Sequence, residues 1–125
     1  MFAKDPEKME SFLGSDCDFK GDLKVKGTLR VDGRAEGSLD ADCVILSESA
    51  GVKGDIQGRR IIIGGRVEGT LKAQERVEIK SKGRVLGDIF SPKLVVLEGA
   101  EVMGKIETKK EEGKIIGVEF RSPAS

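Results

Sequence analysis

The sequence of 125 residues contains no histidine, no tryptophan and no tyrosine. A chain without histidine cannot build a Ser-His-Asp triad, a histidine general base or a histidine-ligated metal site. Hexapeptide-repeat acyltransferases and γ-type carbonic anhydrases have β-helical folds, but both classes depend on histidine. We therefore predict that the protein is not an enzyme and has no catalytic residue and no metal site.

Cysteine and net charge are also scarce. Two cysteines, Cys17 and Cys43, are too few for a four-thiolate zinc site or a disulfide framework, so we expect structural roles for both. The 22 Lys and Arg residues balance the 22 Asp and Glu residues, which leaves no basic field to attract nucleic acid. The sequence has no apolar run of membrane-spanning length, and residues 1–14 lack the apolar core of a signal peptide. These features predict a soluble cytoplasmic protein.

Glycine, by contrast, is abundant, with 17 residues. Six of these glycines lie in one recurring pattern: an apolar or small residue, any residue, Gly, one variable residue, then Leu or Ile. The pattern recurs every 15 to 18 residues, at Phe19–Leu23, Ala35–Leu39, Val52–Ile56, Val67–Leu71, Val85–Ile89 and Val102–Ile106. Such regular recurrence indicates a repeat architecture.

Short blocks rich in β-branched residues separate the copies of this pattern. They are Leu29–Val31, Val44–Leu46, Ile61–Ile63, Val77–Ile79 and Leu94–Val96. Alternating apolar residues with glycine at the corners are typical of strands joined by tight turns. A period near 17 fits one coil of a β-solenoid, in which three short strands run round a triangle and coils stack about 4.8 Å apart. The predicted fold is a single all-β domain of about six coils.

The period also assigns side chains to the inside and the outside of the solenoid. Three inward ladders are expected. One consists of the Leu or Ile that ends each repeat, the second of the first residue of each repeat, and the third begins with the apolar blocks that separate the repeats. Ile45, Ile62 and Val95 are expected to point outward in the middle of one face, in a ladder with Arg30 and Glu78. We predict a lateral contact surface at the three apolar members of this ladder.

The glycine-rich segments do not fit a nucleotide site. Residues 58–69 have neither the Gly-Lys-Ser/Thr ending of a phosphate-binding loop nor a following helix. A calcium ladder is equally unsupported, because Asp22, Asp55 and Asp88 alternate with Ser38, Thr70 and Lys105. No cofactor is predicted.

A solenoid without caps leaves unpaired strand edges and a cross-section of its core at each end. The core was expected to begin near Cys17 and to end at Ile106, with no helix to cover either end. Lys114–Phe120 could add one strand or remain disordered, and the sequence leaves both alternatives open. We predict end-to-end self-association through six end-coil residues: Phe19, Leu23, Val25, Val102, Met103 and Ile106.

Five segments resemble the bactofilin family. They are Gly65–Leu71, Gly83–Ile89, Phe19–Leu23, Gly27–Gly33 and Ser91–Val96, and the resemblance covers residues 12–106. The resemblance implies a right-handed, triangular β-helix with flexible tails that forms nucleotide-independent, non-polar filaments. It also implies a bacterial cytoskeletal scaffold on the inner face of the cytoplasmic membrane, with cell-wall synthesis or remodelling proteins as partners and a role in cell shape.

The N-terminus matches the membrane-targeting tail of many bactofilins at Met1, Phe2 and Lys4. It departs from a basic anchor because Asp5 and Glu7 follow, so one tail would bind anionic lipid weakly and a filament would depend on many tails. The predicted organisation is a tail at residues 1–14, a bactofilin-like core at 15–106 and a C-terminal tail at 107–125. The alternative is a non-polymerising solenoid that binds one partner protein through an outer face.

Overall fold

The computed structural model describes residues 10–108 and 118–121 and contains only β-strands within them. The fourteen strands are β1 (Glu10–Leu13), β2 (Asp18–Lys24), β3 (Thr28–Val31), β4 (Arg34–Asp40), β5 (Cys43–Leu46), β6 (Gly51–Ile63), β7 (Arg66–Glu68), β8 (Leu71–Ile79), β9 (Arg84–Leu86), β10 (Ile89–Phe90), β11 (Leu94–Leu97), β12 (Glu101–Met103), β13 (Ile106–Glu107) and β14 (Val118–Arg121). No helix in this part of the chain is long and apolar enough to cross a membrane.

All recorded strand pairs are parallel, and each joins one coil to the next along three sides. Side A contains residues 18–20 of β2, 34–36 of β4, 51–53 of β6, β7, β9 and β12. Side B contains residues 22–24 of β2, 38–40 of β4, 55–57 of β6, 71–73 of β8, β10 and β13. Side C contains β1, β3, β5, residues 60–63 of β6, 76–79 of β8, β11 and β14. The predicted all-β solenoid of about six coils is confirmed.

The core lies inside the three sides and consists of the predicted inward ladders. On side C, Val44, Ile61 and Val77 stack in register and are each 0% exposed. On side B, Ile56, Leu71 and Ile89 form the equivalent ladder and are also fully buried. Since each strand buries alternate side chains against two neighbouring coils, aliphatic ladders replace the single core of a globular domain.

The repeat glycines lie at the corner between sides A and B. Gly54 has φ +138°, a conformation that residues with a side chain rarely adopt, and a Cβ there would overlap the carbonyl oxygen of Gly37. Gly37, Gly69 and Gly87 have the same positive φ and the same close approach to the preceding coil. The pattern therefore requires glycine for two independent reasons.

The strands extend beyond the predicted core of residues 15–106. At the N-terminal end, β1 lies within the segment assigned to the tail and pairs with β3, since Leu13 continues the ladder of Val31 and packs against the core. At the C-terminal end, β14 pairs with β11, in register from Leu94↔Val118 to Leu97↔Arg121. Within the C-terminal segment Lys114–Phe120, residues 118–120 belong to this added strand, whereas residues 114–117 lie outside the described residues.

Candidate functional site at the two ends of the solenoid

The N-terminal end of the solenoid exposes the outer edge of β1 on side C and of β2 on sides A and B. β1 pairs only with β3, and β2 pairs only with β4, within the described residues. Every second backbone N–H and C=O group of these strands thus faces away from the body of the protein. An uncovered edge of parallel sheet is a template for adding another chain.

Apolar side chains accompany this edge. The predicted interface residues Phe19, Leu23 and Val25 are partly buried and pack against the core from the N-terminal side. Phe12 is 60% exposed and lies in the outward row of β1, in register with Arg30. The residue types of Ser11, Phe12 and Leu13 do not indicate which side chain points outward; the register with β3 decides it, since Leu13 pairs with the buried Val31.

The C-terminal end has the same construction. β12, β13 and β14 each pair with one preceding strand only, among the residues that the structure describes. Val102 is partly buried, whereas Met103 is 64% exposed and Ile106 is 40% exposed. Ile106 belongs to the ladder of Leu71 and Ile89, and it is exposed because no further coil covers it. All six predicted interface residues therefore lie in the first or the last coil.

Charged residues flank one apolar residue at each end. Asp18 and Lys20 lie on either side of Phe19, and all three belong to the edge of side A. Lys105 and Glu107 lie on either side of Ile106 on side B, where Ile106 and Glu107 form β13. The four charged residues are exposed. Each end thus carries an apolar residue between two opposite charges.

The predicted outward ladder on side C is present in register as Arg30, Ile45, Ile62, Glu78 and Val95. Ile45 and Ile62 are partly exposed, as expected. Val95 differs from the expectation: it is 1% exposed, so it offers no surface for a lateral contact. Its position in the ladder was predictable from the period, but its burial depends on packing that the period does not encode.

Charged residues flank this ladder and are paired within the sheet. Arg30 Nε donates to Asp32 Oδ1 at 3.0 Å, and this hydrogen bond holds the pKa of the partly exposed Asp32 carboxyl below its usual value. Glu78 accepts a hydrogen bond from Lys80 Nζ at 2.8 Å, and Arg76 lies 3.7 Å from its other carboxylate oxygen. The outer surface of side C is consequently a mixture of paired charges and two partly exposed isoleucines.

The two cysteines are free thiols with different surroundings. Cys43 is 7% exposed, and burial raises the pKa of its thiol despite the opposing effect of Arg60 nearby. Cys17 is partly exposed near the N-terminal end. The described residues contain no group of three or more histidine, cysteine or carboxylate side chains arranged to hold a metal ion.

A family model for bactofilin, described as polymer-forming and cytoskeletal, matches residues 11–107. The chain belongs to the bactofilin family. Bactofilin BacO of Myxococcus xanthus is 30% identical over 101 residues, which cover 80% of each protein. Bactofilin BacP of the same organism is 32% identical over 96 residues, which are 76% of this chain and 40% of BacP.

The fold agrees with this assignment. A cryo-EM reconstruction of Thermus thermophilus bactofilin double helical filaments matches with a TM-score of 0.61 and 24% identity, covering 90% of this chain and 98% of the other. The bactofilin described here spans about two fifths of BacP and about four fifths of BacO. The family is described by assembly and not by a reaction. The predicted membrane-targeting residues Met1, Phe2 and Lys4 lie outside the described residues.

Proposed function

We propose that this bactofilin is the subunit of a nucleotide-independent, non-polar filament that acts as a scaffold on the inner face of the cytoplasmic membrane. The observation that carries the proposal is the pair of open solenoid ends, where strand edges and apolar ladder residues are uncovered together. Joining two ends pairs these edges and buries inward ladder residues such as Val102 and Ile106. Full burial of one such side chain contributes about 1.5–3 kcal/mol, so stacking needs no nucleotide to drive it.

The shape of the end coil restricts how two like ends can meet. A coil rises by about 4.8 Å per turn, so the three exposed strands of an end form a ramp with steps of about 1.6 Å. In a non-polar joint, two like ends face each other across a twofold axis perpendicular to the solenoid. The distance between facing strands is the same on all three sides only if this axis passes through the middle strand of the ramp. Along the chain that middle strand is residues 18–20 at the N-terminal end and β13 at the C-terminal end.

The residues on these two middle strands are self-complementary. A twofold axis at Phe19 places Asp18 opposite Lys20 of the second copy, and a twofold axis at Ile106 places Lys105 opposite Glu107. Close opposite charges across paired strands are favourable, whereas like charges in these positions are unfavourable. Both joints of a non-polar filament therefore have matched charges.

A head-to-tail filament is the competing arrangement, and it also has matched charges. Stacking the N-terminal ramp of one copy on the C-terminal ramp of another places Asp18 beside Lys105 and Lys20 beside Glu107. The two arrangements differ in what remains when one end is blocked. A non-polar filament with one end blocked leaves dimers, whereas a head-to-tail filament leaves monomers.

Negative-stain microscopy and mass photometry of the full chain and of Val102→Arg test these statements without added nucleotide. We expect filaments from the natural chain and dimers from Val102→Arg, since an arginine in the last coil blocks only the C-terminal joint. Gln57→Arg, an exposed change in the middle of side B, is the control and should leave filaments intact. Dispersed natural protein would contradict polymerisation and would favour the alternative of a solenoid that binds a partner through an outer face. Monomeric Val102→Arg would contradict the non-polar arrangement.

Exchanging the two charges at the N-terminal end gives a second test of polarity. Asp18→Lys alone should block the N-terminal joint, because the new lysine lies opposite Lys20 of the second copy, and this like-charge pair occurs twice in the joint. Asp18→Lys with Lys20→Asp restores the match in a non-polar filament but opposes like charges in a head-to-tail filament. We expect the double variant to polymerise again, and thermal unfolding should verify that its fold is retained. Failure of the double variant, together with rescue by an added Lys105→Glu and Glu107→Lys exchange, would support head-to-tail stacking.

The proposed membrane attachment is through Met1, Phe2 and Lys4, with support for cell shape and for localisation of cell-wall enzymes as the consequence. One short tail with two apolar residues binds weakly, but a filament presents many tails to the same surface. Cosedimentation with phosphatidylglycerol vesicles should decrease strongly in Phe2→Ser and also in Val102→Arg, which reduces the number of linked tails from many to two. Equal sedimentation of Phe2→Ser and the natural chain would argue against the tail as the anchor. The proposal includes no enzymatic activity and no cofactor.

A further inference from the structure

The outer surface of side A contains a groove of about 570 Å³. Its centre is Gly51, which lies in an outward row between Arg34 of the preceding coil and Arg66 of the following coil. The row continues with Asp18 beside Arg34 and with Arg84 beside Arg66. The groove exists because one position in this row has no side chain.

The fold does not require glycine at position 51. A Cβ built on Gly51 would have no heavy atom within 4 Å, and its φ lies outside the left-handed region. Gly54, three residues later in the same strand, has φ +138° and a Cβ that would overlap backbone of the preceding coil. The gap at Gly51 is therefore not a by-product of a corner or of close packing.

Positive charge surrounds the gap and is incompletely paired. Four cations and three carboxylates line the groove. Among the described residues, neither Arg34 nor Lys53 has an ion-pair partner. Two of the carboxylates are already engaged, because Glu68 lies 3.1 Å from Arg66, and Glu36 lies 3.9 Å from Lys20. The groove can thus accept one further negative group near its centre.

We propose that this groove binds a carboxylate side chain on an extended segment of a partner protein. Arg34 lies one strand spacing from Gly51, about 4.8 Å, and Lys53 lies two residues along the same strand, about 6.6 Å away, so a carboxylate above Gly51 lies within reach of both unpaired cations. Three carboxylates stand against four cations in the groove, and Glu36 and Glu68 lie on either side of Lys53, so the small excess of positive charge disfavours a polyanion such as nucleic acid and favours a peptide with isolated carboxylates. In a filament the groove recurs once per subunit, which would increase the avidity for a partner with several such segments.

Fluorescence anisotropy with a fluorescein-labelled peptide of three Ser-Glu repeats tests the proposal on the full chain at low salt. We expect saturable binding that weakens about tenfold in Arg34→Gln and in Gly51→Glu, which places a carboxylate of the chain itself in the groove. Arg59→Gln, a change at an exposed arginine paired with Asp42 outside the groove, is the matched control and should bind the peptide normally. Equal loss in Arg59→Gln, or displacement of the peptide by an equal concentration of inorganic phosphate, would overturn the proposal.

Thermal unfolding gives a readout that needs no ligand. Gly51→Glu should have a higher melting temperature than Gly51→Gln, because only the glutamate supplies negative charge between Arg34 and Arg66. A lower melting temperature for the glutamate variant would contradict an electropositive groove. Vesicles of phosphatidylcholine and phosphatidylglycerol should bind Gly51→Glu and the natural chain equally; a selective loss would point to a lipid headgroup and overturn the peptide assignment. None of these results depends on filament polarity, so they are separable from the tests of polymerisation.

Discussion

The middle coils and the end coils have the same repeat but different surroundings. Ile89 and Ile106 occupy one ladder on side B, yet Ile89 is 0% exposed and Ile106 is 40% exposed. The middle residue is covered by coils on both sides, whereas the end residue has a neighbour on one side only. In this solenoid the same ladder position is therefore buried in the middle and exposed where the repetition stops.

The largest expected difference between the middle and the end is at the corner glycines. Gly54→Ala should lower the free energy of unfolding by more than about 4 kcal/mol, since it combines backbone strain with overlap against Gly37. Gly21→Ala in the first coil has the same kind of φ but no preceding coil to meet, so about 1–3 kcal/mol is expected. Urea unfolding of both variants in a Val102→Arg background, followed by circular dichroism, gives the comparison. Similar losses would mean that φ strain alone explains the glycine repeat.

The second difference concerns the ladder of side B. Ile89→Ala should cost about 3 kcal/mol, because it leaves a cavity between two coils. Ile106→Ala should cost less than about 1 kcal/mol in the dispersed protein but should raise the concentration needed for filaments. Urea unfolding measures the first quantity and pelleting assays the second. An Ile106→Ala protein that pellets like the natural chain would remove this residue from the proposed joint.

The smallest effect distinguishes the two thiols. Cys17 lies near the open N-terminal end and is partly exposed, whereas burial in the middle of side C raises the pKa of Cys43. Dithionitrobenzoate at pH 8 should therefore modify Cys17 first and Cys43 much more slowly, since only the accessible thiolate reacts. Cys17→Ser and Cys43→Ser proteins assign the two phases. Rapid modification of Cys43 in Cys17→Ser would indicate that the middle coils open more readily than their packing suggests.

The repeat and its ladders were predictable from the sequence because the solenoid uses the same residue types at the same corner and side in each coil. Gly54 and Ile61, for instance, could be placed at a corner and inside a side from the period alone. The ends of the core were harder to predict, because a single strand such as β1 or β14 has no repeat signal of its own. Its formation depends on a neighbouring strand that is distant in sequence.

The candidate sites also differ in whether the sequence alone could predict them. The location of the six end-coil residues in the first and last coils could be predicted from the period, and their role at a joint stays a prediction. The groove at Gly51 could not, because one more glycine among 17 has no distinguishing sequence signal. The role of Gly51 in the proposed groove depends on the open space around it and on two arginines that lie 17 residues before and 15 residues after it in the sequence.

The sequence by itself determined the solenoid, its period, its inward ladders and the absence of histidine chemistry, because these follow from local residue types repeated in register. Only the tertiary structure decided that β1 and β14 extend side C, that Val95 is buried and that the charges around Gly51 are unevenly paired. These features arise where the repetition is broken. At such positions the energy depends on contacts between different coils, which a pattern along one chain does not specify.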